Sequence, residues 1–454
     1  MPGMNLSQTL ARFAVETTYD RIPPAARREG CRTLVNWIGC AVGGSTHPTI
    51  DALLTGLAPF GGPAQASVLG RAHRLDALHA ALVNGTASHV LDFDDAHLPT
   101  LLHPATAIAP ALLALAEWKP DGHMVSGTEF LAALVAGVEV SSRLANAIWA
   151  QHNRQWYVTG TAGVVGTAVA AGRILGLDAA QMVAAFGIAA SQAAGMRGMV
   201  GTMCKSFIHG RAAQNGLSAA MLARAGMDGP ADPLGGRNGL LAVYSTAPDL
   251  EVVTRDLGAR YESERNTYKP FACGVVVHAA IDVLIGLREA HAIDPRQVEA
   301  IRLAVHPRTL ELAGIRAPGS GLESKWSVFH SAAVAIVDGA AGEHQYSDAR
   351  VRAPDVVAIR DRITATADDT LEETQAAATV ILKDGRALEG RVEHVLGSVE
   401  RPLTDSRLDA KVRALADDIL GPARVTHMIG LCRALETLPD ATVIAASGVP
   451  DGRS

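Results

Sequence analysis

Lysine is rare in this chain, and two of its lysines stand in segments that do not resemble ordinary helix surface. The basic residues are 34 arginines and six lysines, at positions 119, 205, 269, 325, 383 and 411. Lys205 lies in a segment rich in Gly and Met, 196–207, that we predict to be a loop, and Lys269 precedes Pro270 in an extended segment. Because a chain that otherwise uses arginine keeps lysine where a compact ammonium matters, both are candidates for binding an anion. Two solvated loop lysines explain the composition equally well.

Three carboxylates and one imidazole lie within a short stretch of sequence. Asp92, Asp94 and Asp95 are followed by His103 and Pro104, and Pro104 suits the first turn of a helix. This arrangement suits acid–base chemistry near neutral pH, or an anion held at the N-terminus of the helix. A helix cap and a solvated turn are the alternative. No H-E-x-x-H or H-x-H spacing accompanies these residues, so we predict no metal site.

Several classes of function are disfavoured by motifs and charge. The sequence contains no P-loop, no G-x-G-x-x-G between a strand and a helix, and no G-x-S-x-G. With a net charge of -6, a pI near 6.2 and no basic tract, we expect no nucleic-acid partner. Five cysteines without a C-x-x-C pair favour a reducing compartment. We expect a cytoplasmic protein without a secretory signal or a membrane segment.

Hydrophobic periodicity divides the chain into two kinds of sequence. The first 260 residues place Ala, Gly and Leu at helical spacing, and the helical period returns from Asp405 onward. Between them, alternating apolar residues predict strands, and Asp384-Gly385 predicts the tight turn of a hairpin. The principal predicted helices are 75–93, 104–118, 209–225 and 326–338, and the predicted strands are 298–306, 376–382 and 388–396.

The change of pattern along the chain predicts its domain organisation. At 454 residues the chain is long enough for two or three domains. We predict a mainly α fold, with a large all-helical domain formed by residues 1–265 plus 400–454. A smaller α/β lid domain is predicted to be inserted at 266–399. A cleft between two such domains is a common position for a small-molecule site.

Four blocks of this sequence, together and in order, resemble the MmgE/PrpD family. They are NGTASHVLDFDD with the following HP, TGTAGVVGTAVAAGRILGL, MCKSFIHGRAAQNGLSAAMLARAG and YKPFACGVVVHAAID. Weaker similarity continues through SKWSVFHSAAVAIVDGAAG and VILKDGRALEGRV, so the resemblance covers nearly the whole chain. The family includes 2-methylcitrate dehydratase, cis-aconitate decarboxylase and iminodisuccinate epimerase. The blocks are therefore more specific for the family than for one substrate.

The resemblance implies a helical domain with an α/β lid, a homodimer, no organic cofactor and a small polycarboxylate substrate. By matching motif positions, it assigns Asp92, His103, Lys205 and Lys269 to the catalytic site. In the implied chemistry, the two lysines bind carboxylates and stabilise the charge that develops when a proton leaves the neighbouring carbon. His103 or Asp92 moves that proton.

Four positions depart from the family pattern. Tyr157 stands where relatives often carry His, Ala96 follows the acidic pair in place of Thr, and Gly274 occupies a slot that is polar or His in some relatives. His330 stands in for a Tyr of the lid. We expect Tyr157 and His330 to donate protons in place of the missing groups.

The leading hypothesis is a hydro-lyase that dehydrates a hydroxy di- or tricarboxylic acid. An epimerase or isomerase, a decarboxylase of a related polycarboxylate and a non-catalytic helical binding protein are the alternatives.

Overall fold

The computed structural model describes residues 4–152 and 154–451, and its architecture is mainly α, as predicted. The helices of the N-terminal half are α1 Leu6–Glu16, α2 Pro24–Gly44, α3 Pro48–Leu57, α4 Ala77–Val90, α5 Pro104–Trp118, α6 Gly127–His152, α7 Val158–Thr161, α8 Gly163–Ile174, α9 Ala179–Ala190, α10 Met203–Arg224, α11 Leu240–Tyr244 and α12 Leu250–Thr254. The strands of this half are β1 Ala66–Ser67, β2 Arg74–Leu75 and β3 Asp95–His97.

The remainder of the chain combines helices with a sheet. Its helices are α13 His278–His291, α14 Pro307–Ala313, α15 Gly321–Ser324, α16 Val328–Val337, α17 Asp348–Val351, α18 Pro354–Arg360, α19 Asp405–Leu420, α20 Pro422–Arg433 and α21 Thr442–Ser447. Its strands are β4 Asn266–Tyr268, β5 Val298–Val305, β6 Ile363–Ala367, β7 Ala376–Leu382 and β8 Ala387–Val392.

A short antiparallel ladder joins two segments that are far apart in the sequence. β3 pairs with β4, so that Asp95 lies opposite Tyr268 and His97 lies opposite Asn266. The side chain of Asn266 also donates to the carboxylate of Asp95 at 2.8 Å. This ladder brings the acidic loop next to Lys269.

The larger sheet has four strands in the order β6-β5-β7-β8. β5 and β6 are parallel, and the other neighbours are antiparallel. Buried residues alternate with less buried ones along β7, as expected for a strand with one face on the core. α13 packs on this sheet and against α16, and the three form one apolar core with residues that flank the acidic loop.

Facing glycines let α4 and α10 approach closely. A Cβ built on Gly85 would lie 2.9 Å from the Cα of Gly210, and one built on Gly210 would lie 2.2 Å from the carbonyl oxygen of Leu82. Both distances are shorter than van der Waals contact permits. This contact fixes α10, which carries Lys205, against the helix that ends just before Asp92.

α6 is long and apolar enough to cross a membrane by length and composition alone. The rest of the fold buries 94% of its most apolar 18-residue window. Packing in the protein core therefore accounts for its composition, and one such helix is weak evidence for a membrane span.

Most predicted elements are confirmed, and two boundaries were wrong. α4 and α5 lie within the predicted ranges, and the hairpin forms as expected, although β8 ends at Val392 rather than at Leu396. α10 begins at Met203 rather than at His209, because Thr202 caps its N-terminus by accepting a hydrogen bond from the amide of Cys204 at 3.3 Å. Lys205 therefore lies in the first turn of a helix and not in a loop.

The predicted division into domains at 266 and 399 stays a prediction, as does the lid. The C-terminal helices α19 and α20 pack on α2, and α21 packs on α20 and α5. All three share the apolar core of α2, while the sheet belongs to a separate core.

Candidate active site

Asp92 lies at the centre of a buried ion-pair network. It follows α4 in the left-handed backbone region, with φ of 52°, and its amide donates to the carbonyl of His89 at 2.8 Å. The ammonium of Lys205 donates to one carboxylate oxygen of Asp92 at 2.6 Å, and the ammonium of Lys269 donates to the other. Three of the four residues assigned from the family motifs therefore meet at one carboxylate.

The charges of this network shift the pKa of each member. Burial raises the pKa of Asp92, but the ammoniums of Lys205 and Lys269 outweigh it and hold that pKa well below its ordinary value. Burial lowers the pKa of Lys205 to about 8, although Asp92 opposes the shift. Lys269 has a raised pKa, because the carboxylates of Asp92 and Asp94 outweigh the effect of burial. At neutral pH the network therefore holds an ionised carboxylate between two ammonium groups.

His103 lies at the start of α5 with one ring nitrogen fixed and the other open to a cavity. Its Nδ1 lies 2.7 Å from the carbonyl oxygen of Asp95 and 3.0 Å from Oδ2 of Asp94. Because a backbone carbonyl can only accept, we assign the proton to Nδ1. Nε2 makes no hydrogen bond to any residue in the described ranges, and the ring lines the cavity. His103 is thus oriented to take up a proton at Nε2.

A second histidine connects the lysines with His103. Nε2 of His89 lies 2.8 Å from the ammonium of Lys205, and its Nδ1 lies 2.8 Å from Oδ2 of Asp94. Burial lowers the pKa of His89 to about 3, so the ring is neutral and donates to Asp94 while accepting from Lys205. Sequence reasoning named Asp94 among the candidate carboxylates but missed His89, although it lies in the NGTASHVLDFDD block.

His89, Asp94 and His209 offer ligand atoms within 4.8 Å of one another, which is close enough to consider a metal ion. The rings of His89 and His209 are stacked at 3.4 Å and 14°, so their lone pairs run side by side rather than converging. Both nitrogens of His89 are also engaged in hydrogen bonds. This geometry fits a hydrogen-bond network better than a cation site.

The cavity beside His103 contains about 440 Å³ of empty space, including its mouth. Its polar lining consists of Asp92, His103, Tyr157, Arg197 and Lys269. Its apolar lining consists of Leu101, Trp149, Val158, Gly274, Val275, Val276, Leu312 and Trp326.

Lys205 lines a smaller neighbouring cavity with His89 and Lys325, and Asp92 borders both spaces. The ammonium of Lys205 also lies 5.8 Å from the ring centre of Tyr157 and 5.0 Å from that of Trp326, and both of these rings line the larger cavity. The assignment of both lysines as groups that bind substrate carboxylates stays a prediction.

Two of the four departures from the family pattern shape the larger cavity. The ring of Tyr157 is nearly parallel to that of His103, with ring centres 6.2 Å apart, and burial raises its pKa well above the ordinary value. A Cβ on Gly274 would lie 3.1 Å from the ring of Trp326, so the indole fills the slot that a side chain at position 274 would need. Ala96 is buried in β3, outside the lining of this cavity.

Within the described ranges His330 lies outside the ion-pair network and the cavity lining, and its assignment as a proton donor stays a prediction. It lies in α16, where its Nε2 is 2.8 Å from the carbonyl oxygen of Gln345 and its ring contacts Tyr346. Burial lowers its pKa to about 4, so it is neutral and carries no surplus proton at neutral pH. Within the described ranges it makes no hydrogen bond or ring contact with the other assigned residues. Sequence similarity in that block was too weak to place it.

Two further lysines hold the backbone on either side of Asp92. Lys325 donates to the carbonyl oxygens of Leu91 and Ala272, both at 2.8 Å. Lys411 donates to the carbonyl oxygen of Lys269 at 2.9 Å and to that of Phe93. Four of the six lysines therefore surround the acidic loop. The scarcity of lysine could have revealed all four, but sequence reasoning selected only two.

Comparison with known proteins shows which family this sequence matches. Residues 8–253 match the MmgE/PrpD N-terminal domain, and residues 271–436 match the MmgE/PrpD C-terminal domain. A cis-aconitate decarboxylase of Aspergillus terreus is 26% identical over 462 residues, covering 96% of this chain and 94% of the relative. The cis-aconitate decarboxylase of Homo sapiens is 27% identical over 382 residues, covering 82% and 79%. With both domains matched in order, the chain belongs to the MmgE/PrpD family.

Proposed function

We propose that this protein is a lyase that acts on a small polycarboxylic acid by moving a proton at the carbon next to a carboxylate. The relatives described above carry the name of a carbon–carbon lyase acting on a tricarboxylate, which supports the reaction class and the substrate class. The observation that carries the proposal is the setting of His103, whose Nδ1 is fixed and whose Nε2 opens on the same cavity as Lys269.

His103 acts as the base in this proposal. A substrate carbon in the cavity would lose its proton to Nε2, and the resulting imidazolium would face the buried carboxylate of Asp94. Such a carboxylate stabilises the cation and keeps the ring in the required tautomer. Asp92 is unsuited to the same role, because two ammonium groups occupy its oxygens and keep its pKa low.

Lys269 stabilises the charge that builds up on the substrate. When the proton leaves, electron density moves onto the oxygens of the adjacent carboxylate, and a fixed cation lowers the energy of that state. Lys269 lines the cavity and carries a raised pKa, so it stays charged throughout the neutral range. The carboxylate of Asp92 holds the ammonium of Lys269 in place, and the ammonium of Lys411 donates to the backbone carbonyl of Lys269.

The specific lyase reaction that we propose is the dehydration of a hydroxy acid. Tyr157 keeps its proton at neutral pH, and its hydroxyl makes no hydrogen bond to any residue in the described part of the chain. It can give that proton to a leaving hydroxyl, which departs as water while the electrons of the broken C–H bond form the carbon–carbon double bond. His103 then returns its proton to Tyr157, directly or through water.

Decarboxylation is the second candidate, and the names of the relatives favour it. In this reaction a carboxylate leaves as carbon dioxide, its bonding electrons pass to the remaining substrate, and His103 or Tyr157 delivers a proton to carbon. The cation of Lys269 would stabilise the same kind of intermediate.

Product analysis separates these reactions. The purified enzyme would be incubated in deuterated water with 2-methylcitrate, citrate and cis-aconitate, and the products followed by NMR and by trapping carbon dioxide. An unsaturated acid formed with loss of water supports the dehydratase, and release of carbon dioxide supports the decarboxylase. Inversion or exchange without either product identifies an epimerase. Binding without any turnover would overturn the lyase proposal in favour of a binding protein.

A further inference from the structure

Among the described residues, some charged side chains around the larger cavity are paired with a group of opposite charge and one is not. Asp92 pairs with both Lys205 and Lys269, and Asp94 lies 3.7 Å from the ammonium of Lys269. The two lysines are therefore matched by two carboxylates. A polyanionic ligand needs positive charge beyond this balance, since the chain as a whole carries a net charge of -6.

Arg197 is the charged residue of the cavity lining that takes no part in this pairing of lysines with carboxylates. Its side chain makes no ion pair or hydrogen bond with any residue in the ranges 4–152 and 154–451. Glu311 and Glu373 act on it only at longer range, and Glu373 is already paired with Arg308 at 2.9 Å. Arg197 is partly buried, and a cation in that setting is costly unless a ligand supplies the opposite charge.

Backbone hydrogen bonds hold the segments of Arg197 and Tyr157 together, and both side chains line the same cavity. The amide of Arg197 donates to the carbonyl of Gln155, and the amide of Tyr157 donates to the carbonyl of Gly195, both at 3.0 Å. Between these bonds, Trp156 and Met196 pair as a short antiparallel bridge. Arg197 is thus held on a structured segment beside the proposed proton donor, and it lines the same cavity.

We propose that Arg197 is a specificity-determining residue that binds a second carboxylate of the substrate, away from the carbon that loses its proton. A guanidinium presents two parallel N–H donors that match the two oxygens of a carboxylate. This inference rests on the proposed function and narrows it: the enzyme selects acids with two or more carboxylates, and monocarboxylic acids bind without help from Arg197.

Calorimetric titration of Arg197→Met tests the inference without relying on turnover. The probes are propane-1,2,3-tricarboxylate and butyrate, which share a short saturated chain and differ in the number of carboxylates. The Kd of the tricarboxylate is expected to rise about 10- to 100-fold in the variant, the usual range for a lost hydrogen bond to a charged group. The Kd of butyrate is expected to stay unchanged.

Two control variants make the result specific. Arg296→Met removes an exposed arginine that pairs with Asp294 and should bind both probes like wild type. Arg197→Lys keeps the charge but loses the paired donors, so it should recover part of the lost affinity. Because Arg197 has no acid partner within the described chain, the thermal midpoint of Arg197→Met should equal or exceed that of wild type.

The outcomes distinguish this inference from the function on which it rests. If Arg197→Met binds the tricarboxylate like wild type, or loses affinity for both probes equally, the inference is wrong while the lyase proposal stands. A lowered thermal midpoint with equal losses would show a structural role and would also overturn it. If the wild-type protein neither binds the tricarboxylate nor converts any acid of the panel, both proposals fail.

Discussion

At the residue scale, Asp94 determines what His103 can do. Its Oδ2 accepts from Nδ1 of His89 and lies 3.0 Å from Nδ1 of His103, while its Oδ1 has no hydrogen-bond partner within the described chain. Burial raises the pKa of Asp94, but the two histidines and Lys269 outweigh it and keep the carboxylate ionised. One carboxylate therefore orients the proposed base and links it to the lysines through His89.

Replacing Asp94 by Asn is predicted to lower kcat by about 10²- to 10⁴-fold, the range found when the carboxylate of a catalytic histidine is replaced. The amide has nearly the same shape but can present a donor to His103 and has no charge to stabilise the imidazolium. Initial rates on the best acid of the panel would measure the change. Asp121→Asn, at an exposed residue, is the matched control. Equal kcat values for Asp94→Asn and wild type would show that His103 is not the base.

The pKa of Lys205 predicts an alkaline limit to activity. Burial lowers this pKa to about 8, so the ammonium loses its proton as the pH rises through that value. Of its two lysine partners, Asp92 then keeps the charged ammonium of Lys269 alone. The ion pairs that fix the acidic loop in place are therefore weaker. We expect kcat/KM to fall above about pH 8. A Lys205→Arg variant, which stays charged, should shift that limit upward. A wild-type profile that stays flat through the alkaline range would contradict the role of Lys205.

At the element scale, the contact between α4 and α10 sets the distance from Lys205 to Asp92. Gly210 leaves no room for a side chain, because a Cβ there would also lie 2.3 Å from the hydroxyl of Thr86. The backbone of α10 must therefore move if this residue gains a methyl group. Since Lys205 lies five residues before Gly210 on the same helix, the ion pair with Asp92 moves with it.

Gly210→Ala is predicted to destabilise the fold by about 1–3 kcal/mol, the usual cost of overpacking a core, and to lower kcat. Gly430→Ala is the matched control, because Gly430 is exposed in α20 and a Cβ there meets nothing within 4 Å. The control should gain about 0.4–1 kcal/mol through helix propensity. Chemical denaturation and steady-state rates would compare the two. If Gly210→Ala keeps wild-type stability and activity, the close helix contact does not position the site.

The sequence predicted long periodic elements better than short strands or the capped first turn of a helix. α4, α5 and the hairpin of β7 and β8 follow from periodicity and from the Asp-Gly turn. The first turn of α10 was missed, because Gly198 and Gly201 suggested a loop that continued past the Thr202 cap. The three-residue strands β3 and β4 exist only because they pair with each other across the fold, which no local pattern reveals.

The candidate site was predicted in part for a similar reason. Asp92, Lys205 and Lys269 were found through lysine scarcity and motif resemblance, and the structure brings them into contact. Arg197 could not be singled out among 34 arginines, because only the fold shows that it lines the cavity without an acid partner among residues 4–152 and 154–451. His330 lies outside this group in the described chain, and its role stays a prediction that rests on a block with only weak resemblance to the family.

At the scale of the whole molecule, the family resemblance predicts a homodimer. Sedimentation equilibrium would then give a mass of 94.6 kDa, twice the 47.3 kDa of one chain. We expect this mass to be independent of protein concentration in the micromolar range, as for an obligate assembly. A species of 47.3 kDa over the whole range would contradict the predicted homodimer.

The most direct test of the account is the exchange of substrate hydrogen with solvent deuterium. Mass spectrometry would follow deuterium entering the acid, or its product, at the carbon next to a carboxylate, for wild type and for His103→Asn. We predict incorporation by wild type and a rate at least about 10²-fold lower in the variant, because His103 carries the proton. Incorporation at the wild-type rate by His103→Asn would contradict the central claim that this histidine is the base.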